Sequence, residues 1–425
     1  MAGAVFLSRV PRSGYHPLRM TEGALSDLRV VELAQGIAGP YCGKLFADLG
    51  AEVIKVERQD GDRARALGPF PDDHPDPEQS GLFLHLNTGK KSVTLDVSVA
   101  SGQAVLRKLL DKTDVLIAGK GVLDVEGLRY DDLKADFPRL VYVAITPFGT
   151  TGPYAGYHGN SLTAMAMSSI MYSTGAPDRE PLTTGGTPAD YIAGIHAWIG
   201  AQAAIAYRER EGVGQQVDVS LAESAACADE YNAAMYAFQG AIRRRYYSRH
   251  VFGYPMDIMP CKDGHVVLIP GATGFPQRGL TQEGAVSPMS LLMGNPDLDQ
   301  HPLFQSGQER MCRWQEVDEL LLPWLMENTT KEIVELAQAL RMPFAYVPSV
   351  KDLVEDEHLA SRAFFVKVDH PDAGELTYCG PPFRMTETPP VISRAPELGE
   401  HNEAVLSEVG YSKEDQEILR ERDVT

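Results

Sequence analysis

Residues 28–34 read LRVVELA, residues 35–40 QGIAGP and residues 52–57 EVIKVE. The first run predicts a buried strand and the third a second strand. Between them lie a loop and a short helix over 41–49. Strands joined through a helix cannot pair as a hairpin; they line up in parallel with the helix packed over the sheet. Further strands are predicted at 91–97 (KSVTLDV), 114–118 and 140–146 (LVYVAIT), with a helix over 100–110. The N-terminal half is therefore α/β.

The rhythm changes near residue 220. An Ala-rich helical stretch covers 220–239, followed by Arg243, Arg244, Arg245, Arg249 and His250. A Lys-Asp-Gly turn at 262–264 leads into a strand at 265–269. Glycine and proline over 271–294 predict a loop. Helices follow at 315–327 and 331–340, then a proline-rich linker over 371–398 and a polar helix over 413–421. There is no internal repeat and no low-complexity tract.

A chain of 425 residues is too long for one small core, so two domains are expected. With 44% hydrophobic and 23% charged residues, it has the composition of a soluble globular protein. No apolar run reaches membrane-spanning length. A net charge of −19 argues against nucleic acid, whose affinity rests on phosphate contacts, but leaves room for a local basic patch holding a phosphorylated small molecule. The cysteines Cys42, Cys227, Cys261, Cys312 and Cys379 show neither CxxC nor Cys/His metal spacing, so a reducing cytoplasm and no metal are expected. Residues 1–20 contain Arg9, Arg12 and Arg19 and no acid. They read as a disordered leader, or as sequence upstream of a start at Met20.

The first loop invites a dinucleotide reading, with Glu57 ending the next strand where a ribose-binding acid would lie. Yet Gly36, Gly39 and Gly43 do not form GxGxxG. Pro40 and Tyr41 also stand where pyrophosphate should approach. A Rossmann-like backbone without nicotinamide fits better. Arg58, Arg63, Arg65, Lys90 and Lys91 lie near the strand ends, as phosphate ligands or as a solvated rim. GxSxG and GxxxxGK[ST] are absent, and His158 has no evident catalytic partner.

Residues 187–191 read TPADY. Thr187 is a cap, Pro188 fits a first helical position, and Ile192, Ile195, Ile199 and Ala206 follow at helical spacing, flanked by Trp198 and Ile205. Asp190 falls in the first turn, where unpaired N–H groups and the helix dipole favour its ionised form. A carboxylate held so can be a nucleophile; it can equally do no more than complement the dipole.

Taken together, residues 25–58 (LSDLRVVELAQGIAGPYCGKLFADLGAEVIKVER), 84–97 (LHLNTGKKSVTLDV), 145–154 (ITPFGTTGPY), 188–224 and 395–419 (APELGEHNEAVLSEVGYSKEDQEIL) resemble the class III coenzyme A transferases. That family includes formyl-CoA, carnitine-CoA and succinyl-CoA transferases and α-methylacyl-CoA racemases. The resemblance spans nearly the whole chain from Leu25.

It implies a nucleophilic aspartate at Asp190 and a coenzyme A site at Gln35, Ile37, Ala38, Arg58, Asn87 and Lys90. It implies no permanently bound cofactor: acyl-CoA is a substrate, and a carboxylic acid accepts the CoA. It also implies an interlocked homodimer of a Rossmann-like large domain (21–225) and a smaller α+β domain (226–345), with 346–425 as a linker and C-terminal segment returning to the large domain. Two departures stand out. Residues 118–123 (AGKGVL) replace the family's Asn-Phe-x-Pro-Gly-like segment, and the glycine-rich flap has no match beyond a loose candidate at Gly253. Two alternatives are a same-fold racemase and a non-catalytic subunit of a heteromeric transferase. Racemases carry Gly-His-Asp where this chain has Gly159–Asn160–Ser161, and a neutral Asn cannot be a general base.

Overall fold

The computed structural model describes residues 23–249, 253–271, 274–276 and 286–425. The proposed leader and His250 lie outside them. Six strands form one sheet: β1 (Arg29–Leu33), β2 (Glu52–Glu57), β3 (Lys91–Thr94), β4 (Val115–Gly119), β5 (Val141–Thr146) and β6 (Gln216–Ser220). Their order is β3-β2-β1-β4-β5-β6. β1 runs parallel to β2 and β4, and β2 parallel to β3. β1 and β5 are buried along their whole length, as expected of a sheet covered on both faces. Successive strands step outward from β1 to β3, and β4 then starts on the other side of β1. The strand order thus reverses between β1 and β4, where ligands bind in open α/β sheets.

The chain forms two compact units. One takes the residues up to Ala144, Ala197–Val217 and Val366 onward; the other takes Ile145–His196 and Asp218–Phe365. In the first, Val31, Ile54, Val56, Leu106, Leu109 and Leu116 form a core that Val405, Leu406, Leu419 and Val424 also join. The C-terminal segment is tied along β3: Asn402 Oδ1 accepts from Thr94 N at 2.9 Å, and His401 N donates to Ser92 O at 2.9 Å. That covers a strand edge that would otherwise present unpaired backbone groups. The second unit has a separate core, including Val266, Leu268, Phe304, Val317, Leu325, Ile333 and Phe344. It surrounds an antiparallel sheet of β7 (Asp257–Pro260), β8 (His265–Leu268) and β9 (Ala345–Tyr346).

Several elements depart from the sequence reading. The 220–239 helix is two helices, Leu221–Ala228 and Glu230–Gln239. They break at Asp229, whose carboxylate accepts from Ser169 Oγ and Asn232 Nδ2. The 271–294 stretch includes a short helix, Pro288–Leu292, capped by Ser287. The supposed linker begins inside a two-stranded sheet, β10 (Phe365–His370) and β11 (Gly374–Cys379).

The helix beginning at Pro188 runs to Glu211. Its buried stripe is not the isoleucine one. Ile195 and Ile199 are 40% and 52% exposed, while Ala189, Ala193, Ala197, Ala201 and Ala204 are buried. Small side chains spaced four apart let a helix backbone approach its neighbours closely, and larger ones are then left outside.

Candidate active site

The first loop follows β1, at the end of the sheet where the strand order reverses. Beneath it lies a buried ionic network. Glu32 and Lys55 are in-register neighbours on β1 and β2, and both are fully buried. Lys55 Nζ donates to Glu32 Oε1 at 2.9 Å, Asp62 Oδ2 at 2.7 Å and Ala34 O at 3.2 Å. Lys90 Nζ donates to Glu32 Oε2 at 2.7 Å, Asn87 Oδ1 at 2.9 Å and Pro40 O at 2.7 Å. Asp62 Oδ1 accepts from Gly36 N at 2.9 Å and Ala64 N at 2.8 Å.

The backbone of the loop is thus held at three points, Ala34 O, Gly36 N and Pro40 O, by groups whose charges largely offset one another. Buried charges persist only when paired and hydrogen-bonded in this way. Burial pushes the Asp62 carboxyl up, but Lys55 and the backbone donors more than reverse that and hold it below the usual carboxylate range. Burial brings Lys90 down to about 8 despite Glu32.

Gly36 adopts φ +84°, which favours glycine. At Gly43, in the helix Ala38–Asp48, an added Cβ would stand 2.0 Å from Glu32 Oε2, so only glycine lets the helix pass over the network.

The residues assigned to coenzyme A are placed unequally. Gln35 is exposed, Ile37 half-buried and Ala38 buried on the loop itself. Arg58 follows β2 with its side chain 73% exposed, paired with Asp60 at 3.2 Å. Asn87 and Lys90 are buried under the loop. Asn87 Nδ2 donates to Phe83 O at 2.9 Å and its Oδ1 receives Lys90, so both side chains spend their polar atoms inside the protein. Their geometry supports the loop from below.

Glu57, the would-be ribose acid, is likewise committed. Arg65 binds it through Nε and Nη2 at 2.8 and 2.9 Å, and Ser92 Oγ donates at 2.7 Å. Burial raises its pKa, and the Arg65 hydrogen bond and Lys55 more than offset this. A buried carboxylate with both oxygens occupied offers nothing to a ribose. Where the family segment departs, Ala118 and Gly119 end β4 and a short helix, Lys120–Leu123, follows.

Asp190 lies in the second unit, half-buried in the first turn of the helix Pro188–Glu211, with its N–H donating to Thr187 O at 3.1 Å. The arginines beyond Gly240 differ in their partners. Arg245 donates to the carbonyls of Tyr172 and Ala176, and Arg249 stacks over Trp314 at 3.6 Å from the ring centre. Asn160 caps the helix Ser161–Met167, its Oδ1 accepting from Thr163 N at 3.1 Å. That amide does structural work where a racemase places its histidine. Sequence reasoning missed Glu32, Lys55 and Asp62. For Glu32 and Lys55 the available signal was a charge amid the apolar residues of two adjacent strands; Asp62, at the start of a short helical turn, gave none.

Comparison with known proteins identifies the family. The family model CoA-transferase family III matches residues 25–402. The chain is 31% identical to succinyl-CoA--D-citramalate CoA-transferase of Chloroflexus aurantiacus, over 94% of this chain and 98% of that one. It is 32% identical to succinyl-CoA:mesaconate CoA-transferase of Haloarcula hispanica, over 91% and 97%. A crystal structure of a CAIB/BAIF family protein from Brucella suis superposes with a TM-score of 0.79 at 31% identity, covering 92% of this chain and 100% of that one. The chain belongs to CoA-transferase family III and is a CoA-transferase.

Proposed function

We propose that the protein transfers coenzyme A from an acyl-CoA donor to a carboxylic acid, with Asp190 as nucleophile. The carrying observation is a half-buried carboxylate in the first turn of a long helix, in a chain of this family. Asp190 attacks the thioester carbonyl, the C–S bond breaks, and an aspartyl–acyl anhydride and CoA thiolate result. The thiolate attacks the aspartyl carbonyl and releases the donor acid as carboxylate, leaving aspartyl-CoA thioester. The acceptor carboxylate attacks that thioester, giving a second anhydride and thiolate. The thiolate then attacks the acceptor's acyl carbon and regenerates Asp190. The acyl activation is conserved throughout, so no ATP is consumed.

Gln35, Ile37, Ala38 and Arg58 contact coenzyme A in this reading, while Asn87 and Lys90 hold the loop that does so. The protein works as a homodimer. Large exposed apolar side chains such as Phe238 and Ile199 support an assembly that covers them. The five free cysteines support a cytoplasmic setting.

The test is incubation with acyl-CoA and hydroxylamine in deuterated water. A hydroxamate on the peptide containing Asp190, formed only with acyl-CoA, is expected. Deuterium at the substrate α-carbon with Asp190 unmodified would instead establish racemase chemistry.

A further inference from the structure

Most cations near the first loop are already committed. Lys55 and Lys90 are bound to Glu32, Arg65 to Glu57 and Glu78, and Arg58, at the surface, to Asp60. Arg63 differs. It is exposed, and its side chain has no hydrogen bond or ion pair among the described residues. It is nonetheless held close to the loop. Asp62, the residue before it, binds Gly36 N and so fixes the turn that launches the Arg63 side chain. A Cβ added at Gly36 would stand 2.5 Å from Arg63 Nη2 and 2.7 Å from Nε. The guanidinium therefore lies on Gly36, which has no side chain, and any other residue there would displace it.

We infer that Arg63 is a phosphate-binding residue of the coenzyme A site, held against Gly36 to meet the phosphates of the bound nucleotide. The inference rests on the transferase reading above. A protein of net charge −19 repels a polyphosphate unless it offers local cations, and Lys55, Lys90 and Arg65 are neutralised by buried carboxylates, which leaves Arg63 beside the exposed Arg58. A planar guanidinium presents paired donors that match phosphate oxygens, and one without a protein partner keeps them available. The loop also stands where the strand order reverses, the usual place for such a ligand in an open α/β sheet.

Two sources of phosphate exist within one ligand, the 3′-phosphate and the pyrophosphate. Calorimetric titration of the full-length protein with CoA, dephospho-CoA and pantetheine separates them. Arg63→Gln should weaken CoA binding by about 10- to 100-fold, the range of a lost charged hydrogen bond. Arg63→Lys, which keeps the charge but loses the fork, should fall between. Pantetheine, which has no phosphate, should bind wild type and variant alike. If dephospho-CoA binds both equally, the contact is to the 3′-phosphate; if it weakens as CoA does, the contact is to the pyrophosphate. Wild-type protein that binds and transfers CoA, together with an Arg63→Gln protein within twofold of its affinity, would overturn the assignment and leave the transferase reading intact. Wild-type protein that neither binds nor transfers CoA would overturn both.

Discussion

The carboxylate of Asp62 receives the backbone N–H of Gly36 at 2.9 Å, while its second oxygen holds Lys55 Nζ at 2.7 Å. One side chain therefore couples the first loop to the charges buried under the sheet. Asp62→Asn keeps the shape but loses the charge that faces Lys55. We expect KM for the acyl-CoA to rise about tenfold, the value of one charged hydrogen bond, with kcat changing less. Steady-state kinetics on folded variant checks this; equal losses in kcat and kcat/KM would place Asp62 in the chemical step instead.

Lys55 is bound by Glu32 and Asp62 and has no exposed surface. Lys55→Met leaves those carboxylates facing each other with less compensation. Breaking a buried pair from one side costs about 3–5 kcal/mol, read as a fall in the denaturant midpoint. Adding Glu32→Leu should recover part of that loss, because the two residues share one network. Additive losses would show that the network is not coupled.

These residues show where the sequence was legible and where it was not. The β-loop-α-β order and the turn at Thr187–Pro188 were readable because they rest on local rules. Glu32 and Lys55 were not, because their meaning depends on register: each is a charge flanked by apolar residues until the two strands are laid side by side. The helix Pro188–Glu211 was readable from its spacing, but its buried face was not, for a related reason. Hydrophobicity favours Ile195 and Ile199, but close approach selects the alanines. The hairpin Phe365–Cys379 was hidden by the proline-rich sequence after it. Asn87 and Lys90 were found through resemblance, and only the geometry shows them supporting the loop from below.

His85 stacks on Tyr378 with ring centres 6.4 Å apart, and burial, helped by Lys44, lowers its pKa from 6.5 to about 4. Between these values the unfolded chain carries a proton on His85 that the folded protein excludes. Stability is then present above pH 6.5 and lost as pH falls towards 4, with a full effect of about 3 kcal/mol. Other groups titrate in the same window, so the measurement is a difference: wild type minus His85→Phe, by denaturation from pH 7.5 to about 4. The difference should shift against the wild type as pH falls. A pH-independent difference would mean that His85 takes up its proton equally well in the folded and unfolded chain, and would remove burial as the cause of any shift.

Phe238 is 90% exposed, and Tyr236 and Ile242 are each 61% exposed. If a homodimer covers them, sedimentation should give a dimer at every concentration, and Phe238→Asp should reduce assembly or the yield of folded protein. A compact, active wild-type monomer at low concentration would refute the dimer.

Asp190→Asn tests the nucleophile itself. The change preserves size and removes the anionic oxygen that must attack the thioester. Because Asp190 lies in a first turn, where the helix dipole favours a negative charge, its loss should cost stability only about 0.3–1 kcal/mol. The melting temperature should therefore hardly move, and CoA should still bind. The rate should fall by about a thousandfold or more, because no covalent route remains. Asn side chains can deamidate to Asp, so recovery of activity during storage would itself point to this carboxylate, and Asp190→Ala, which cannot revert, sets the baseline. An Asp190→Ala enzyme that folds, binds CoA and keeps more than a few per cent of wild-type turnover would remove Asp190 from the mechanism.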